Sequence, residues 1–230
     1  MKLRRSPGFT LIELLVVISI IAVLASLAVP AVTGALVKGQ LAQAMSNSRQ
    51  IHMAAMAMAI DGATNSDPAL AWPGDLKDSS DTAANSVGNF VTRLVGFDYL
   101  KAGDLKIFST AGITAYPGGT VTGSGTGATL STSFEDKHCA YKVYLVHDSD
   151  ASNTLFLATK NYTYNEDITD LTLKPFSDKG FVVIRKGGDA AVLKKQQSKN
   201  LNLVGMLPGQ SDISSPGSES ASNCLQTAQK

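Results

Sequence analysis

Residues 9–30, FTLIELLVVISIIAVLASLAVP, hold a single charged side chain, Glu13, and from Leu14 to Val29 there is none. As an α-helix this stretch is roughly 33 Å long, enough to cross the ~30 Å hydrocarbon layer of a bilayer. Glu13 lies one turn into that span. A carboxylate in hydrocarbon costs on the order of 2.5–3.5 kcal/mol, so an intramembrane acid is by default a functional residue in need of a partner. A short basic leader, Met1 to Gly8 (MKLRRSPG), precedes the run.

In an ordinary secretory signal the small-residue cleavage site follows the apolar stretch, which is then discarded. Here the candidate cut comes before it. Cleavage after Gly8 leaves a chain beginning Phe9-Thr10-Leu11-Ile12-Glu13, with a free α-amino group and a carboxylate four residues apart. Two other readings stand beside this one. The run is a plain signal anchor whose acid snorkels to the headgroups, or it is an h-region removed near Ala25-Ser26-Leu27-Ala28 or Val29-Pro30-Ala31, which releases a soluble periplasmic binding protein. Glu13 argues against the last.

The segment GFTLIELLVVISIIAVLASLAVP resembles the prepilin-type cleavage and methylation segment of type IV pilins and type II secretion pseudopilins, over about Arg4 to Pro30. The resemblance implies cleavage between Gly8 and Phe9 by a prepilin peptidase, N-methylation of Phe9, and stacking of the mature helices in a filament core. It also places Pro30 where pilins often carry a helix-bending proline. Charge pairing gives Glu13 a role independent of the resemblance. In a helical stack the carboxylate of one subunit can neutralise the terminal ammonium of its neighbour, which removes much of the penalty of burying either and sets the register.

Beyond Pro30 the pattern stays helical but becomes one-sided. Val37, Leu41, Ala44, Met45, Ser48, Ile51, Ala55 and Ala59 fall on one helical face, and Gln40, Gln43, Asn47 and Gln50 on another. One helix from about Thr10 to Ile60 is predicted, bent or locally melted at Pro30 and ended near Asp61, with Gly62 in the left-handed position. Met45, Met53, Met56 and Met58 read as flexible core filler, and His52 as a packed histidine.

The rest reads as one head. Asp67 to Ser86 is loop, and Val87, Phe90, Val91, Leu94 and Val95 form a short helix capped by Ser86. Ser109 to Ser133 is a Gly/Ser/Thr-rich excursion. Tyr141–His147 with Thr154–Thr159, and Phe181–Arg185 with Ala190–Leu193, pair as two hairpins. The predicted fold class is α+β: a long N-terminal helix packed on an antiparallel sheet of about four strands, the arrangement that the pilin-like resemblance also implies. The predicted segments are the leader 1–8, a membrane-spanning and filament-core helix 9–30, its amphipathic continuation 31–61, the head 62–207 and a polar, weakly ordered tail 208–230.

Cys139 and Cys224 both lie outside the cytoplasmic membrane on this topology, so a disulfide is allowed, as is one buried thiol with one exposed in the tail. Pilin-like proteins often staple their C-terminal region with a disulfide, which is what the resemblance implies here. Asp148, Asp150 and Asn153 in DSDASN offer alternating oxygens for Ca²⁺, as in some secretion pseudopilins. The stretch lacks the glycine and distal glutamate of an EF-hand loop, and a solvated turn is the simpler reading. No phosphate loop, paired-histidine motif or nucleophile elbow is present, and no catalytic role is expected. Loss of Lys2, Arg4 and Arg5 with the leader turns 20 Lys and Arg against 19 Asp and Glu into 17 against 19, with no basic face for nucleic acid.

The expected function is that of a pseudopilin of a type II secretion pseudopilus, a non-enzymatic subunit anchored by one inner-membrane pass with its head in the periplasm. The alternatives are a type IV pilin for adhesion, motility or DNA uptake, and a non-polymerising membrane-anchored binding protein. Expected partners are copies of itself and other pilin-like subunits, the peptidase and methyltransferase, an inner-membrane assembly platform and membrane lipid.

Overall fold

The computed structural model describes residues 9–78, 86–214, 216–220 and 222–225; Gly8 and the rest of the leader lie outside them. The chain divides into two compact units, Met1–Gly39 and Gln40–Lys230. Helix α1, Leu11–Asn65, begins in the first and ends in the second. In the first unit no described residue is buried, and its apolar side chains from Phe9 to Leu36 stand open on all sides. Its most apolar 18-residue window has a mean hydropathy of 2.8, long and apolar enough to cross a membrane. In lipid every backbone group must be satisfied internally, which only a helix can do with one segment. The hydroxyls of Ser19, Ser26 and Thr33 obey the same rule, donating to the carbonyls of Leu15, Val23 and Pro30. The backbone stays helical through Pro30, so the local melting expected from its missing donor does not occur.

In the second unit α1 buries one side. Leu41, Ala44, Ser48, Ile51, Ala55 and Ala59 are buried as their spacing predicts, with Val37, just ahead of this unit, half-buried; His52 and Met58 are buried too, and so is Asn47, against its assignment to the polar face. Met45 is half-buried, whereas Met53 and Met56 are exposed, so the reading of all four methionines as core filler fails for these two. The helix also runs past Gly62. A β-carbon there would lie 1.5 Å from the Leu70 carbonyl oxygen, so the glycine serves close approach of the following loop, and Ser66, at φ 54°, takes the left-handed position. In that loop Pro73–Asp78 forms a short helix, α2. Helix α3, Val87–Gly96, is capped by Ser86, whose hydroxyl accepts the Asn89 N–H at 3.2 Å.

The excursion after α3 carries a two-stranded ribbon, β1 (Val121–Thr122) and β2 (Thr129–Leu130). The main sheet follows: β3 (Tyr141–Val143), β4 (Leu155–Thr159), β5 (Phe181–Arg185) and β6 (Ala190–Leu193), antiparallel throughout in the order β3-β4-β5-β6. Strands β3 and β4 are buried on both faces, against the half-solvated pattern usual for antiparallel sheets. One contact explains part of this: the Tyr141 hydroxyl donates to the Ala44 carbonyl of α1 at 2.9 Å. Elsewhere Tyr162 stacks on Phe181 with ring centroids 4.3 Å apart, inside a cluster that includes Val204, Leu207 and Cys224. A last short helix, α4, spans Leu201–Val204.

The segment after Leu207, expected from composition to be weakly ordered, is held to the sheet. Its Asn223 carbonyl accepts from the Leu145 N–H at 2.9 Å, and the Leu225 N–H donates to the Val143 carbonyl at 2.8 Å, which covers the β3 edge. Glu219 makes the decisive contact. One carboxylate oxygen takes the Lys142 ammonium at 2.6 Å; the other accepts the Tyr144 hydroxyl at 2.5 Å and the Tyr164 N–H at 2.9 Å. The Lys142 side chain is 0% exposed and that of Glu219 9%, so each charge depends on the other. Replacing Glu219 by alanine should therefore cost about 3–5 kcal/mol in denaturant unfolding of the head, because a buried ammonium loses its counter-ion. The double variant Lys142→Met/Glu219→Leu should recover most of that loss.

Candidate functional site

The first described turn is closed on itself. The Thr10 N–H and hydroxyl both donate to one oxygen of Glu13, at 2.8 and 2.7 Å, and the Glu13 N–H donates back to the Thr10 hydroxyl at 3.2 Å. This is a capping box. The carboxylate satisfies donors that the first helical turn leaves open and lies at the positive end of the helix dipole. Thr10 was not singled out from the sequence, although Thr-x-x-Glu ahead of an apolar run is the pattern that marks such a box. The Glu13 carboxylate thus finds its partners within its own helix end. Phe9 is exposed beside it.

The β3–β4 turn carries the candidate calcium ligands, and its main-chain carbonyls and the Asp150 carboxylate already have donors. The Lys186 ammonium sits on the Asp148 and Asp150 carbonyls at 2.5 and 2.8 Å, and 6.0 Å from the centre of the Trp72 ring. Asp150 takes the His147 N–H at 2.8 Å and the Gly209 N–H at 3.3 Å, while the Asn153 carbonyl takes the Met206 N–H at 3.1 Å. The Asp148 N–H donates to Asp75 at 2.8 Å. Burial pushes the Asp75 carboxyl above its usual range, partly offset by that N–H. Among the described residues no three His, Cys, Asp or Glu side chains form a metal-binding group. Lys186 thus supplies from within the chain the positive charge that a turn of this kind could take from a cation.

His52 lies beneath the same turn. Its Nε2 meets the Lys186 carbonyl at 2.7 Å, so that nitrogen carries the proton, and its ring packs against Trp72 and Phe156. Gly188, at φ +87°, lets the β5–β6 turn approach: a β-carbon there would come 3.2 Å from the imidazole. Burial holds the His52 pKa below the ordinary 6.5, against the smaller opposing effect of the carbonyl.

Next to Trp72, two adjoining depressions of about 330 and 370 Å³ run along the end of α1. Met56, Ile60 and Ala63 form the helix side, and Asp67, Asp75 and Asp148 stand around them. A third depression, of about 340 Å³, is lined by amides from Gln40, Gln43 and Asn47 with Lys106. None of the three brings a nucleophile to a base. Cys139 and Cys224 are both buried, which removes the alternative of a thiol exposed in the tail. Cys224 stands opposite Tyr144, and Cys139, just ahead of β3, points its thiol at the Tyr141 carbonyl at 3.2 Å.

Residues 3–29 match the prokaryotic N-terminal methylation motif. Over 65 residues the chain is 35% identical to a type IV major fimbrial protein FimA of Dichelobacter nodosus, which covers 28% of this chain and 42% of that one. A second FimA of the same organism is 35% identical over 77 residues, 33% of this chain and 49% of that one. The chain thus spans less than half the length of the curated relatives it matches. No solved structure matches it.

Two outcomes test the turn. Because folding withholds a proton from His52, the stability of the head should be fully present above about pH 7 and fall as the pH drops through about 6.5. Thermal melts from pH 8 to 5.5 should show that slope in the wild type and a weaker one in His52→Gln. With Lys186 in place, 5 mM-scale EDTA or Ca²⁺ should shift the melting midpoint by less than about 1 °C, within the noise of a change worth a few tenths of a kcal/mol.

Proposed function

We propose that this chain is a type IV pilin-like, non-catalytic filament subunit whose assembly is driven by Glu13. The carrying observation is the carboxylate held in the first turn of a helix whose first half is apolar and exposed. The precursor is cut between Gly8 and Phe9, Phe9 is N-methylated, and the helix waits in the membrane with Glu13 shielded by Thr10. On entry into the filament the Phe9 ammonium of one subunit meets the Glu13 carboxylate of another, and neutralisation of the pair favours the stack over the lipid. The head remains outside the cytoplasmic membrane.

As the finer assignment we propose a type II secretion pseudopilin that extends to move folded cargo across an outer membrane. The near-neutral net charge, +1 for the full chain, supports it. A second reading, a fimbrial subunit, is favoured by the names of the FimA relatives. Deletion of the coding region separates the two: loss of exported proteins with surface fibres intact marks the pseudopilin, and loss of fibres with normal export marks the pilin.

The common part has its own test. Mass spectrometry of the mature protein should find an N-terminal peptide that starts at methylated Phe9, and an intact leader overturns the proposal. Glu13→Ala should leave processing intact yet lower the filament fraction by about tenfold or more, equivalent to at least 1.4 kcal/mol per added subunit.

A further inference from the structure

The depression lined by Gln40, Gln43 and Asn47 plays no part in the filament reading. It encloses about 340 Å³ between α1 and the 3₁₀ segment Ala102–Phe108 with the turn that follows, and every residue that lines it belongs to the second compact unit. Three- and four-residue spacing sets the three amides in one row along the helix. Lys106, Ile107 and Thr110 belong to the other wall.

The polar groups of these walls are unevenly satisfied. Asn47 is buried and its amide donates to the Tyr141 hydroxyl, which in turn donates to the Ala44 carbonyl at 2.9 Å. The Ser109 hydroxyl donates to the Lys106 carbonyl at 2.8 Å. The Thr110 hydroxyl, by contrast, is buried with no hydrogen-bond partner. Such a group has given up water and gained nothing, so it costs stability unless a ligand completes it. Among the described residues the Gln40 and Gln43 amides and the Lys106 ammonium also have no partner, and no carboxylate lines the depression.

These groups specify the chemistry of an occupant. An amide donates and accepts at once and so matches a hydroxyl, while an ammonium with no acid beside it selects an anion. Ile107 and Ala111 add a small apolar surface for the C–H face of a ring. The volume lies at the lower end of the ~300–1,000 Å³ of small-molecule sites, room for about one or two sugar rings. We propose that this depression binds a sugar acid, with its carboxylate on Lys106 and its hydroxyls on the amides and Thr110. The site does not involve Glu13 or Phe9, so it stands or falls apart from the filament reading.

The test is calorimetric titration of the full-length mature protein in detergent micelles with galacturonate, and with galactose, acetate and inorganic phosphate in parallel. Galacturonate should bind with a dissociation constant of about 1 mM or below, and the other three at least tenfold more weakly. Lys106→Gln should erase the preference for galacturonate over galactose and leave galactose unchanged. Thr110→Val should weaken galacturonate about tenfold in a protein whose head melts at or above the wild-type temperature, because the orphan hydroxyl is gone. The proposal is overturned if galacturonate does not bind, if acetate or phosphate binds as tightly and the site takes an adventitious ion only, or if both variants bind galacturonate like the wild type.

Discussion

A single helix has to satisfy two solvents. From Leu11 to Leu36 its side chains are apolar all round and its hydroxyls turn back onto its own carbonyls, which hydrocarbon demands. From Leu41 onward only one side is buried, because the other must remain compatible with water or with another protein. The same backbone hydrogen-bond ladder carries both chemistries, so the change is made by side-chain pattern alone. Glu13 is the exception in the first half, and its own N-terminal turn holds it.

Much of this was legible in the order of residues, for physical reasons. The apolar span and its acid are local signals, and the period of the stripe from Leu41 to Ala59 follows from helix geometry. Both hairpins of the main sheet were readable because polar stretches, 148–153 and 186–189, separate β-branched and aromatic runs, although β3 ends at Val143, short of the predicted His147. Ser86 was found as a cap because capping is decided within four residues. The errors lie where distant atoms decide. Gly62 resembles a helix stop, yet its missing β-carbon makes room for the Leu70 carbonyl, and Ser66 tolerates the left-handed turn instead. Met53 and Met56 were assigned inward because their spacing allows it. The face that the sheet covers is set by contacts such as Tyr141 to Ala44, 97 residues apart.

The candidate site was legible in the same uneven way. Phe9 and Glu13 follow from the leader and the apolar run. Thr10 was missed, although its spacing to Glu13 carries the capping pattern. Lys186 could not be assigned to the turn at Asp148 from sequence, since the two are 38 residues apart and nothing local links them. That turn resembles a cation loop because its oxygens alternate, and the structure meets the same electrostatic need with an ammonium from the next hairpin. The parts of the site that chemistry alone could predict are therefore the ones nearest the start of the chain.

The contact between Lys142 and Glu219 also orders events in time. The middle of the sheet is made before residue 219 has been delivered, and until then an ammonium destined for the interior has no counter-ion. Strands β3 to β6 can meet early, but the head cannot dry out around Lys142 until Glu219 has closed over it. Delivery of residue 219 and completion of folding thus become one step, so that a head still waiting for it stays open along the β3 edge.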